Sequence, residues 1–126
     1  MKAAICTRYG PPEVIKIEER LKPVLKDDSV LIRIKATTVS SGDCRVRNLD
    51  IPILYKPMMM LIYGISKPRQ PIFGTELAGE VESVGKNVSK FKVGDSVFAM
   101  TGMKMGSHAE YIVLPESEKS YSSQTI

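Results

Sequence analysis

The side chains able to do chemistry in this 126-residue chain are few. Two cysteines, Cys6 and Cys44, and one histidine, His108, stand far apart, with no C-x-x-C spacing. That excludes a zinc ribbon, an iron–sulfur centre and a thioredoxin-type dithiol. His108, at the start of a strand and without ligand partners, reads as a surface or turn residue. Cys6 and Cys44 could pair as a disulfide. With no secretory segment legible after Met1, reduced thiols in a cytoplasmic protein are the simpler expectation. Ser40-Ser41-Gly42-Asp43 carries the hydroxyls and carboxylate that accept free amide hydrogens at a helix start. Asp43 is the expected N-cap. Glu76 lies two residues after Gly74 and asks for a cationic or hydrogen-bonding partner, with Arg47 expected.

Residues 71–94 (PIFGTELAGEVESVGKNVSKFKVG) concentrate Gly74, Gly79, Gly85 and Gly94. Such density asks for positive φ or for close approach of another backbone or a ligand. No strand-loop-helix G-x-G-x-x-G accompanies them, and the chain has no room for a βαβ unit. The glycines therefore read as strand turns and close backbone packing.

The elements that must position these groups follow from period and punctuation. Residues 2–8 are strand-like, Tyr9-Gly10-Pro11-Pro12 is a turn, and residues 13–20 return beside the first strand with Ile15 and Ile17 on one face. Residues 29–39 form the clearest strand, with Val30, Ile32, Ile34 and Ala36 sharing a face. One or two helical turns are expected over 43–48. Residues 49–69, rich in proline and methionine, read as a long loop with one helical turn near 58–63. That loop is either a flap packed on the core or an apolar wall of a ligand cleft. Further strands are expected over 77–84, 96–100 and 107–114, the last with Ala109, Tyr111 and Val113 on one side. From Glu116 the chain is polar and reads as a frayed tail. The pattern predicts a mainly β fold, a barrel with one or two short helices, and not a doubly wound α/β sheet.

Composition agrees with one globular domain: 43% hydrophobic and 25% charged. The net charge of +4 is scattered, and five tyrosines and three phenylalanines are the only aromatics, which argues against nucleic acid as a partner. PMMMLIYGI at 57–65 is far below the ~20 residues of a membrane span and is flanked by Lys56 and Lys67. No membrane partner is expected.

KAAICTRYGPPEVIKIEE, SVLIRIKATTVSSGDCRVR, PIFGTELAGEVESVGKNVSKFKVGDSVFAM and GSHAEYIVLPE, in this order, resemble the N-terminal GroES-like catalytic domain of the medium-chain dehydrogenase/reductase superfamily. The resemblance runs over residues 1–118, with 119–126 expected to be a disordered or non-family tail. It implies a partly open β-barrel which, in the family, is followed by a Rossmann domain holding NAD(H) or NADP(H). Substrate lies in the cleft between the two. In the zinc-dependent alcohol dehydrogenase branch a catalytic cysteine sits three residues before the position of Asp43; here it is Ser40. The branch's Gly-His-Glu motif reads Gly74-Thr75-Glu76. Hydroxyls are poor zinc ligands beside thiolate and imidazole. Cys44 is in the wrong register for a ligand and is expected to be a small half-buried residue, and the cysteine-rich structural-zinc lobe is absent. No metal is expected.

The resemblance therefore narrows to the zinc-independent, quinone oxidoreductase-like reductases, whose loop commonly reads Asn-Pro-x-Asp followed by x-x-x-Arg. Asp43 and Arg47 keep that pattern and Ser40-Ser41 lacks the Asn-Pro. It implies NADPH-dependent reduction of quinones or other conjugated carbonyls. Ser40, Asp43 and Thr75 would be the catalytic-side residues, with Ser41 and Arg47 toward the cofactor. Because no Rossmann half is legible, the expectation is a truncated chain, trimmed or frameshifted, that binds NADPH weakly and is inactive alone. The alternative is a non-catalytic binding or self-assembling β-barrel module, homo-oligomeric through exposed apolar surface.

Overall fold

The computed structural model describes residues 1–117 and 121–123. In chain order its elements are β1 (Lys2–Cys6), β2 (Ile15–Glu19), β3 (Ser29–Thr37), α1 (Ser41–Asn48), α2 (Lys56–Tyr63), β4 (Glu76–Val84), β5 (Ser96–Met100), β6 (Tyr111–Pro115) and β7 (Tyr121–Ser123). Single 3-10 turns lie at Pro12–Val14 and Gly102–Lys104. The β1–β2 hairpin runs antiparallel from Lys2↔Glu19 to Cys6↔Ile15, as the turn at residues 9–12 predicts. The other strands form one antiparallel sheet in the order β6-β3-β4-β5-β7. Bridges Ala3↔Ala109 and Ile5↔Ile72 hold the hairpin against it. The result is the expected mainly β, partly open barrel with two short helices. Among the described residues there is no βαβ unit.

Period two builds the core. Val30 and Ile32 are fully buried and pack with Leu77, Val81, Val97, Ala99 and Leu114. Fully burying one such aliphatic side chain stabilises by about 1.5–3 kcal/mol. The predicted face of β3 fades outward, since Ile34 is half-buried and Ala36 exposed. Bulges between Leu31/Ile32 and Ile34/Ala36 break the pleat's alternation there. The strand expected over 107–114 begins only at Tyr111; Tyr111 and Val113 share one side, and Ile112 and Leu114 turn inward. The pairings Ile32↔Ile112 and Val30↔Leu114 force this, because directly opposed residues share a face. Gly79 shows close packing, since a Cβ there would overlap the carbonyl oxygen of Arg33.

A second, smaller cluster of Cys6, Val14, Val46, Phe73 and Met105 sits under α1. Burial pushes the Cys6 thiol above its ordinary pKa; both cysteines are free, and Cys44 is half-buried. In the loop after α1, α2 is a full helix with Pro57 tolerated in its first turn, where no amide hydrogen is needed. The segment packs on the core only in part, through Tyr63 on the cluster under α1 and the buried Gly64 and Pro68. α2 buries none of its residues, and Met59, Met60 and Tyr63 turn only partway inward.

Within the stretch expected as a tail, Glu116 accepts from the amides of Lys90 (2.6 Å) and Ser89 (2.8 Å), and β7 pairs with β5. Residues 118–120 and 124–126 of that stretch lie outside the described residues. The Lys90 amide first, then that of Ser89, holds the Glu116 carboxyl below its ordinary pKa. A depressed folded pKa means its stabilisation is full above the unfolded value and is lost as pH falls through the folded one. Glu116→Gln is therefore expected to lower stability near neutral pH and to converge with the parent only at pH values below the depressed folded-state pKa, well under the ordinary glutamate value of about 4.3. Urea melts at the two pH values check this.

Candidate functional site

β3 ends at Thr37, and the chain stays extended to Ser40 (φ −95°, ψ 165°) before α1 begins. Ser40, not Asp43, is the N-cap, because the cap residue must keep extended dihedrals while its side chain turns back on the helix. The Ser40 hydroxyl accepts from the Asp43 amide (3.3 Å), and the Asp43 carboxylate accepts from the Ser40 amide (2.9 Å) and hydroxyl (3.1 Å). This is a reciprocal capping box, with the acid in the first turn where the helix dipole favours it. Asp43 is only 5% exposed, and its other oxygen accepts from the Gly74 amide at 3.2 Å. One carboxylate thus ties the loop after β3 to residues 73–74.

Gly74 is held at φ +97° by bonds on both sides. Its carbonyl accepts from the Ser107 amide (3.2 Å) and the Thr101 hydroxyl (3.2 Å), and the Thr101 amide donates to Thr75 O (2.7 Å). Ser107 is fully buried, its hydroxyl 2.9 Å from that of Thr37. Thr37 gives its own hydrogen to Glu76 O (2.7 Å), so Ser107 donates to Thr37.

His108 is the residue sequence reasoning missed. It is not a surface residue: its side chain is 11% exposed, with Nε2 2.8 Å from Thr38 O and 3.8 Å from Asp43 Oδ2. Its amide donates to Phe73 O and its carbonyl accepts from Ala4, each at 2.9 Å, so it is stitched between β1 and residues 73–74. Nothing local in SHAEY signals this.

The expected Arg47–Glu76 pair does not form. Arg47 Nε donates to Gly10 O (3.2 Å), Nη1 meets Cys44 Sγ (3.8 Å), and Arg47 O accepts from the Gly10 amide (2.8 Å). Arg47 follows Asp43 by one helical turn and so shares its face, turned to the Gly10 turn. Glu76 instead accepts from the Thr38 hydroxyl at 2.9 Å.

Asp43, Arg47, His108, Thr37 and Phe73 border an open cleft of about 410 Å³, lined also by Val39 and by Ala3, Ala4, Ile15 and Ile17 of the hairpin. Thr37 also borders a second cleft of about 380 Å³, with Thr38, Glu76, Phe98 and Met100. The structure therefore brings Asp43 and Arg47 together and joins Ser40 to them through Asp43. Ser41, exposed on the first turn of α1, and the half-buried Thr75 line neither cleft. Among the described residues, no three His, Cys, Asp or Glu side chains are placed to hold a metal. Chemically, the first cleft offers apolar walls with two cations on its rim, Arg47 and Lys2. Its carboxylate is already engaged by three donors, which suits orientation rather than proton abstraction.

A model of the alcohol dehydrogenase GroES-like domain matches residues 26–121. The chain is similar to the quinone oxidoreductase of Sus scrofa, at 36% identity over 112 residues, 88% of this chain and 30% of that protein. It is also similar to the chloroplastic NADPH-dependent alkenal/one oxidoreductase of Arabidopsis thaliana, at 32% identity over 92% of this chain and 29% of that protein. Among solved structures, the quinone oxidoreductase of Pseudomonas syringae pv. tomato superposes with a TM-score of 0.75 at 30% identity, covering 98% of this chain and 33% of that one. The chain thus spans about 30% of the length of the curated relatives it matches.

Proposed function

The chain belongs to the alcohol dehydrogenase GroES-like domain family of the medium-chain dehydrogenase/reductases, and from that premise we propose that it is the substrate-side domain of a zinc-independent, NAD(P)H-dependent oxidoreductase. The substrate class is quinones or other conjugated carbonyls. The observation that carries this reading is the chemistry at two positions. Ser40 and Thr75 stand where a zinc enzyme of this type needs sulfur and imidazole, and the Ser40 hydroxyl is already committed to Asp43. The names of the similar quinone and alkenal/one oxidoreductases support the substrate class.

NADPH, when bound, supplies the hydride. Among the described residues no nucleotide-binding βαβ unit is present, so these residues fit only the reacting end of the cofactor. Ser41, exposed on the first turn of α1, and Arg47 are the groups that would meet its polar atoms. Asp43 and Ser40 hold the loop that borders it. Reduction of a conjugated carbonyl places negative charge on the carbonyl oxygen; the Arg47 guanidinium, which borders the first cleft, is the donor assigned to that charge. Phe73, Ile15 and Val39 exclude water along the body of the substrate.

Titration of the 15N-labelled chain with 1,4-naphthoquinone tests the reading. Amide shifts are expected at residues 37–47, 73–76 and 108, weakened by Arg47→Ala; shifts confined elsewhere would overturn it. In the same samples NADPH absorbance is expected to hold at the blank rate, because most of the cofactor's binding energy would come from a nucleotide-binding unit. Robust turnover by this chain alone would refute that part.

A further inference from the structure

His108 is the only histidine in the chain, and it borders the first cleft. Its Nε2 faces two acceptors, Thr38 O at 2.8 Å and Asp43 Oδ2 at 3.8 Å. Acceptors on both sides of one nitrogen hold the hydrogen there, which fixes the Nε2–H tautomer of the neutral ring. The Cδ2–Nε2 edge lies against Gly74, since a Cβ on that residue would overlap both atoms. Nδ1 belongs to the opposite edge of the ring and bonds to no described residue. The other polar groups of the cleft are poor sources of a proton. Arginine does not deprotonate in proteins, and lysine is a weak acid at neutral pH, so Arg47 and Lys2 steady charge without discharging it. The Asp43 carboxylate is engaged by three donors, and the Thr37 hydroxyl gives its hydrogen to Glu76 O.

We propose that His108 is the proton donor of this cleft, with Nδ1–H aimed at the carbonyl oxygen of the bound substrate. The assignment rests on the reading of the cleft as the site of conjugated-carbonyl reduction. Hydride arriving at the conjugated system leaves an electron pair on the carbonyl oxygen, as an enolate or a hydroquinone monoanion. The Nδ1–H bond of the imidazolium then breaks, the O–H bond forms, and the N–H electron pair stays on the ring. What remains is the Nε2–H tautomer that Thr38 and Asp43 already hold, so the step needs no rotation of the ring. Solvent at the open cleft returns the proton. Histidine is the side chain whose ordinary charge change falls between pH 5 and 8, which suits an acid that must release and regain a proton. The charged groups around the ring are Asp43 and Arg47 of α1, Lys2 of β1, and Glu76 on the Thr38 hydroxyl. Asp43, within ion-pair distance, balances the imidazolium while keeping its bond to the Gly74 amide.

Ring 15N spectra of the 126-residue chain read His108 alone, because no second histidine is present. In the free chain at about pH 8 the hydrogen is expected on Nε2, with Nδ1 bare. Under argon, 1,4-dihydroxynaphthalene, the reduced form of naphthoquinone, should shift Nδ1 as the acceptor of its O–H. 1,4-Naphthoquinone should bind about tenfold tighter at about pH 5 than at about pH 8, the worth of one charge-assisted hydrogen bond. His108→Gln can keep the bond to Thr38 O through its amide nitrogen and cannot titrate, so it should retain binding and lose the pH dependence. A hydrogen on Nδ1 of the neutral ring would overturn the proposal. So would ring signals that neither ligand moves while the amides at 37–47 and 73–76 shift, a result that leaves the substrate site standing. Dependence on pH that survives His108→Gln would overturn it too and assign the proton to another group. Absence of those amide shifts would remove the substrate site and this proposal with it.

Discussion

Gly74→Ala is expected to destabilise the fold by about 2–6 kcal/mol, the largest single effect at the site. Two costs add. At φ +97° an L side chain is strained by about 1–3 kcal/mol. The new Cβ would also overlap the Ser107 hydroxyl and the His108 ring, and overpacking of this kind costs about 1–3 kcal/mol. Neither neighbour has room to yield. Ser107 is fully buried and bonded to Thr37, and His108 is bonded through its amide, its carbonyl and its ring. Urea denaturation of the variant measures this; a loss under about 1 kcal/mol would show that the segment shifts freely. Gly94 is also at positive φ, but a Cβ added there would meet nothing within 4 Å. Gly94→Ala therefore serves as the control for strain without overlap.

Asp43→Ala is expected to cost about 3 kcal/mol, with an unchanged denaturant slope. It removes the reciprocal cap, worth about 1 kcal/mol. It also strands the buried Gly74 amide, at about 1–3 kcal/mol. Ser40→Ala removes only the cap half and should cost about 1 kcal/mol. Because both substitutions break the same box, the double variant should cost less than the sum of the two, with a coupling of at least ~0.5 kcal/mol. Additive losses would mean that Asp43 acts on residues 73–74 alone. The consequence for binding follows from geometry. Asp43 touches the loop, the Gly74 segment and, at 3.8 Å, His108, so its removal loosens one wall of the cleft from several sides.

Much of the scaffold was legible because its signals are local. Period two in SVLIRIKAT predicts β3, Tyr9-Gly10-Pro11-Pro12 predicts the β1–β2 reversal, and the run Ser40-Ser41-Gly42-Asp43 predicts a helix start. The errors have a common cause. The partner of Arg47 depends on which turn α1 packs against, and the placement of His108 on a bond to Thr38, 70 residues away. The exposed face of α2 was hidden for the same reason: an apolar run looks alike whether another element covers it or not.

The same division runs through Ser40 and Thr75. That these positions hold hydroxyls rather than sulfur and imidazole was settled by the sequence alone, since side-chain identity is covalent. That the Ser40 hydroxyl is bound to Asp43, while His108 enters the same cleft, was decided only by the tertiary structure. Which groups meet depends on strand register and loop closure, and no window of neighbouring residues contains that information.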